Sequence, residues 1–459
     1  MVVGYGYLCH ALLGLRRNMQ ITSDSSEARL AHLAGDFYLK VSCYRQALSE
    51  YEDAALLFEK QLRAAPFDAL SHKNRGSVYR SLGDLHANYA KYDLAKQCLE
   101  LAFQAFNEAL AISRDDADTL NNRAIVYRSL GDLQSNQAEY DAAEASYRKA
   151  IEDLEETLLK APDFAYATFN LGQVHTNLGR IQAGRYLFAS AEDSFREAIE
   201  AFTRASGNMP ENGIFHFGCG VALQCVGELL AIRGARQAEE KYVEAITRLN
   251  KALTYCPSDV NVLNCMGTVH RCLGDLRRGE SIERATECYR NALQSFDSAL
   301  KISPEYVDAV NNRGILFGSM ADLEVAIGNH EAAEELSKMA IQNFIKCLWY
   351  APKHPFAHSN LGLVHTSLAK LQVKIYAAVS AQDSLRAANE AFDNALGIAP
   401  KNVNVLYSKG LSLRLQASLS ANASRKGELI EDANRLFHTL RSIAPNHPVV
   451  AQFPEIFET

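Results

Sequence analysis

Residues 304–352 read PEYVDAVNNRGILFGSMADLEVAIGNHEAAEELSKMAIQNFIKCLWYAP. Apolar and small residues recur every three or four positions, the period of a helix and not of a strand. Gly328-Asn329-His330 supplies a turn. The closing proline lacks an N–H and restricts the residue before it, so the second helix stops there. The stretch reads as one helical hairpin, and the same hairpin recurs in both directions from it.

The closing residues Pro66, Arg114, Pro162, Pro210, Pro257, Pro304, Pro352, Pro400 and Pro445 are spaced by 48, 48, 48, 47, 47, 48, 48 and 45. A second marker keeps the same period: Gly76, Ala124, Gly172, Gly220, Gly267, Gly314, Gly362 and Gly410. Two markers on one period indicate a repeat array, here an all-α solenoid of paired helices. Each closing helix repeats one pattern, as in Ala102, Phe106 and Ala109, Ala292, Phe296 and Ala299, and Ala388, Phe392 and Ala395. Small residues let two helices approach closely, and the phenylalanine fills the space they leave.

This order of residues resembles the tetratricopeptide repeat family, most plainly in Asn170-Leu171-Gly172, Asn312-Arg313-Gly314 and Asn360-Leu361-Gly362. The resemblance covers about residues 21–445 and implies an α-solenoid of antiparallel helix pairs in a right-handed superhelix. The family's unit has 34 residues, and this one has 48. The distances Gly76 to Ala95, Ala124 to Ala143, Gly172 to Ala191, Gly314 to Ala333 and Gly362 to Ala381 are all 19, which places seven of the extra residues in each helix. Seven residues are close to two turns, so the inward face is kept, and each helix should have roughly 20 residues and span about 30 Å. A rival turn at Gly83-Asp84, Gly131-Asp132 and Gly274-Asp275 is disfavoured, because that slot holds Ala321, Ala369 and Ala417 in later repeats, and alanine continues a helix. The expected turn lies later, at Lys91-Tyr92-Asp93 and Glu139-Tyr140-Asp141.

Ala28, Gly35, Tyr44, Ala47, Ala54, Phe58 and Pro66 bring the start into register, giving nine repeats over 21–445. Residues 1–20 then read as a broken half-repeat, either a cap or the remainder of a longer array, and 446–459 as a C-terminal cap, because terminal repeats have one face in water. The apolar N-terminus carries its positive charges after the apolar stretch, which makes a poor signal peptide.

Net charge is −7, and with no base-reading code in the repeat this leads to an expectation of no nucleic-acid partner. No uninterrupted apolar run reaches the roughly 20 residues of a membrane helix, so no membrane insertion is expected. The ten cysteines form no CxxC pair; they read as reduced thiols of a cytoplasmic protein, small and buried, holding no metal. His175, His270 and His365 share one slot but stand 95 residues apart, and other repeats fill it with Tyr79, Tyr127 and Phe317; it reads as a packing position. Phosphate-loop, zinc-hydrolase, nucleophile-elbow and dinucleotide patterns are missing, so neither enzyme activity nor a cofactor is expected.

The functional signal lies on the first helix of each repeat. Asn74, Asn122, Asn170, Asn312 and Asn360 stand two residues before the small marker, and Lys73, Asn121, Asn264 and Asn311 three before it. Arg80, Arg128, Arg271 and Arg414 stand four after it, with Gln224 in the same slot. In the family the first helices line the concave face, so the resemblance implies amide and arginine ladders along a groove. Asn can donate to and accept from an extended backbone, and Arg can grip a carboxylate, which suits an acidic or C-terminal protein segment. The other reading is that Asn braces neighbouring helices and Arg is merely solvated. The family's two-carboxylate clamp begins with Lys73 and Asn74 but is not continued by Asp118 and Asn121. The expected role is a protein-interaction scaffold or adaptor within a larger complex. The alternative is the regulatory or substrate-recruiting arm of an enzyme whose catalytic domain lies upstream or on another chain.

Overall fold

The computed structural model describes residues 24–40, 44–89, 91–375, 377–444 and 450. The half-repeat expected at 1–20 and, apart from Val450, the cap expected at 446–459 lie outside the described residues. Among the described residues the regular structure is entirely helical, as expected. The helices are α1 (Asp24–Lys40), α2 (Tyr44–Ala64), α3 (Ala69–Asn88), α4 (Tyr92–Ile112), α5 (Ala117–Asn136) and α6 (Tyr140–Lys160). Then come α7 (Ala165–Gly184), α8 (Phe188–Asn208), α9 (Gly213–Ile232), α10 (Ala238–Tyr255), α11 (Val260–Arg277) and α12 (Ile282–Ile302). The series ends with α13 (Val307–Ala326), α14 (His330–Tyr350), α15 (Pro355–Lys374), α16 (Ala378–Ile398), α17 (Val403–Ser418) and α18 (Ala423–Ile443).

They group into two compact units. The first runs to Leu133 and includes Ala142–Val174; the second takes Gln134–Asp141 and the described residues from His175 on. Within the first unit α3 packs on α4, and α1 touches α3. Within the second, α9, α11, α13, α15 and α17 each pack on the helix that follows, and each touches the next of the five.

The later turn is the one formed. Helix α3 runs through Gly83-Asp84 to Asn88, and α13 ends at Ala326 just before Gly328-Asn329-His330. Gly328 there adopts φ +81°, while the turn after α5 puts Ala138 at φ +59°; the left-handed conformation costs a residue with a Cβ roughly 1–2 kcal/mol. Asn329 caps α14 through the backbone N–H of Ala332.

The Gly-Asp pairs have a different job from turning. A Cβ on Gly131 would stand 2.5 Å from the Tyr147 ring, and one on Gly274 2.6 Å from Tyr289. The ring fills the glycine's place, and its hydroxyl donates to the neighbouring aspartate, Tyr147 to Asp132 at 2.6 Å and Tyr289 to Asp275 at 2.7 Å. Repeats with Ala321 and Ala369 in the glycine slot carry Ser337 and Leu385 in the ring slot, so volume is traded across the hairpin. The expected phenylalanine knobs Phe58, Phe106, Phe202, Phe296, Phe392 and Phe437 are buried, and so is Phe344 in the same slot; Gly76, Gly314 and Gly362 face Phe106, Phe344 and Phe392.

Polar struts complete the frame. Arg123 donates to Asp153 through Nε and Nη2, at 2.8 and 2.6 Å, and to Asn107 at 2.9 Å. Arg313 donates to Asp297 at 2.7 Å and Asn343 at 3.0 Å. His72, His216 and His358 each donate from Nε2 to the carbonyl of the proline six residues earlier.

Helix α9 is long and apolar enough to cross a membrane by length and composition. His216, Gln224 and Glu228 break its apolar run, which is why a search for an uninterrupted stretch passes over it. Phe215, Cys219, Ala222, Leu223, Cys225 and Leu229 are buried within the protein.

Candidate functional site

The fourteen first-helix residues divide by what they touch. In the first compact unit Asn170 donates from Nδ2 to Asn121 Oδ1 at 2.9 Å. In the second, Asn312 donates to Asn264 at 3.0 Å and Asn360 to Asn311 at 3.2 Å. One rule covers all three: the amide two before the marker donates to the amide three before the marker of the preceding repeat. Asn121, Asn170 and Asn311 are buried, where an unpaired amide would cost about 1–3 kcal/mol. The ladder exists, and its rungs join neighbouring helices.

The rule explains where it stops. For Asn122 the preceding partner is Lys73, which has donors but no acceptor. Lys73 instead reaches Asp116 at 3.0 Å. The Asn122 side chain makes no such bond among the described residues, and the Nδ2 of Asn74 is also without a partner there. Four residues past the marker, Arg80 forms an ion pair with Asp84 at 3.8 Å. Arg128 uses one terminal nitrogen on Gln173, and the other is unbonded among the described residues. The Nε of each of these two arginines is buried without a partner among the described residues.

Equivalent groups in the second unit are engaged. Gln224 donates to Glu228 at 2.9 Å and accepts from the Cys265 thiol at 3.1 Å. Arg271 donates to Asp275 at 2.6 Å and to Cys272 at 3.2 Å. Arg414 donates to Asn434 at 3.1 Å and lies over the Phe437 ring. Burial pushes the thiols of Cys225, Cys265 and Cys272 up, Cys272 to about 12, so these sulfurs stay protonated; Cys265 donates to Gln224 and Cys272 to Glu228, while Cys225 accepts from Arg180. All eight described cysteines are free.

His175, His270 and His365 are half-buried, and the Nδ1 of each has no partner among the described residues. Burial pulls all three down, His175 to about 4. They are neutral rings in a packing slot. The struts of Arg75, Arg123, Arg313 and Lys409, one residue before the marker, were missed in the sequence although they too keep the repeat period.

A family model described as tetratricopeptide repeat matches residues 129–195. No curated protein matches by sequence. Among solved structures the chain is similar to the S. pombe nuclear import adaptor Nro1 at 13% identity and a TM-score of 0.42, over 64% of this chain and 99% of that one. It is also similar to the human IFIT1 dimer with m7Gppp-AAAA at 15% identity and a TM-score of 0.44, over 95% and 94%. The third is the MamA protein at 17% identity and a TM-score of 0.28, over 50% and 95%. The IFIT1 structures hold m7Gppp-AAAA or PPP-AAAA, and this overturns the expectation of no nucleic-acid partner. That expectation rested on net charge and on the lack of a base-reading code in the repeat; net charge averages over the whole surface and says nothing of a local row of arginines.

Proposed function

We propose that this chain, a tetratricopeptide-repeat protein, is an adaptor that holds an extended, carboxylate-bearing protein segment across α3 and α5, on Asn74, Arg80, Asn122 and Arg128. The supporting observation is that these four keep hydrogen-bonding capacity that their counterparts spend on neighbours. Guanidinium groups with N–H donors still unused offer a bidentate grip. Unpaired amides offer both a donor and an acceptor to a backbone. Helices packed about 10 Å apart match roughly three residues of extended chain, so carboxylates three residues apart fit neighbouring arginines. The role is binding, with no chemistry assigned to a side chain. The free thiols fit a cytoplasmic setting.

The test uses fluorescein-labelled peptides of ten residues carrying Asp or Glu at every third position, read by anisotropy. The acidic peptide should bind, weaken with salt, and lose affinity when its carboxylates become amides. Equal binding of the amide peptide, or of a single-stranded oligonucleotide at equal concentration, would overturn the reading.

A further inference from the structure

A second docking surface lies in the second compact unit, and it stands whether or not the row on α3 and α5 binds. Between several pairs of neighbouring repeats a polar strut recurs. It joins a residue just after the phenylalanine knob of one second helix to the residue just before the marker of the next first helix. Arg313 holds Asp297 in this way, and Lys409 holds Asp393. In the first unit Arg123 holds Asn107. Between α14 and α15 the same two positions are Ile345 and Leu361, so no strut can form.

The change continues along α14. Ile345 is 56% exposed and Trp349, one turn on, is 75% exposed, with Phe356 at 51% just past the proline turn. Trp349 is the only tryptophan of the chain. Trp349 rests edge-on against Tyr350 at 4.9 Å, and Lys346 lies over the Tyr350 ring at 5.8 Å. Lys353 is exposed beside them, and residues 336–356 contain no aspartate or glutamate. The carboxylates at the matching slots of the adjoining repeats, Asp297 and Asp393, are held by Arg313 and Lys409. An exposed Ile–Trp pair in place of a polar strut adds nothing to the isolated hairpin; aromatic anchors of this kind carry the energy of protein interfaces.

We infer that Ile345, Trp349 and Phe356, flanked by Lys346 and Lys353, dock an acidic amphipathic helix of a partner protein. Charge selects this occupant. A second copy in a two-fold contact would bring the lysines against each other. A bilayer meets one exposed Ile–Trp turn on a chain of net charge −7, too little apolar area for stable attachment. A helix with glutamates beside a leucine stripe satisfies both the apolar pair, spaced for helix packing, and the two cations.

The single tryptophan makes the test direct on the full chain. Its emission and acrylamide quenching are measured with a synthetic amphipathic helix rich in Leu and Glu, and with the same helix carrying Lys for Glu. The acidic helix should shift the emission to the blue and protect the ring. Lys346→Glu with Lys353→Glu should weaken binding by about tenfold, from two exposed charge pairs, with helix content unchanged. Ile345→Asp should weaken it as well. Unchanged quenching, equal protection by the basic helix, protection that grows with protein concentration alone, or equal protection by phosphatidylserine vesicles would each overturn the inference.

Discussion

The two compact units write their first helices in the same slots, and some of those slots are used differently: the first unit braces through Asn170 on Asn121 and Tyr147 on Asp132, but not at Arg80 and Asn122. In the second, Tyr289 takes one oxygen of Asp275 at 2.7 Å and Arg271 the other at 2.6 Å. In the first, the ring slot opposite Gly83 holds Leu99, no tyrosine fixes Asp84, and Arg80 stays 3.8 Å away. The amide row shows the same contrast. Asn264 accepts from Asn312, whereas Lys73 has no acceptor to offer Asn122. A side chain becomes a brace or a binding group according to what the preceding repeat presents to it.

The contrast can be sharpened by substitution. The largest effect is expected from His175, which burial holds neutral with a value near 4. As pH falls below the ordinary 6.5 the unfolded chain takes up the proton first, so stability is complete above 6.5 and is lost towards 4. The full shift is worth on the order of 2–3 kcal/mol. His175→Phe, copying Phe317 in the same slot, should flatten that part of a pH–melting profile without moving peptide affinity. Next comes a rung of the ladder: Asn311→Ala leaves Asn360 without its acceptor and should cost about 1–3 kcal/mol in urea unfolding. Lys73→Asn supplies the missing acceptor. It exchanges a half-buried ion pair for an amide bond, so stability should move by less than about 1 kcal/mol while affinity for the acidic peptide falls. The smallest change is Ala138→Gly, which relieves a left-handed residue and should add about 0.5–1 kcal/mol.

Much of the frame was legible because it rests on period and volume. The 48-residue repeat, the helix lengths, the later turn and the phenylalanine knobs follow from residue size and helix breaking, which are local properties. The Gly-Asp pairs were legible as special but not as ring sockets, because the ring that fills Gly131 sits 16 residues on in another helix. The candidate site was legible as a set of slots. Which members stay unpaired was not, since Asn122 and Asn312 look alike in sequence and differ only through Lys73 and Asn264 one repeat earlier. The apolar character of α9 was hidden by three polar residues that leave its average composition apolar.

The central claim is that Arg80, Asn122 and Arg128 of the first unit bind from slots whose counterparts in the second unit brace neighbouring helices. Two variants of the full chain test it side by side: Arg80→Ala with Asn122→Ala and Arg128→Ala, and Asn312→Ala with Asn360→Ala. Peptide affinity and melting are measured on both. The first variant should lose roughly a hundredfold in affinity, from two charge-assisted contacts and one amide, at an unchanged melting temperature. The second should melt several degrees lower and bind as before. Unchanged affinity in the first variant, or an equal drop in melting temperature in both, would contradict the account.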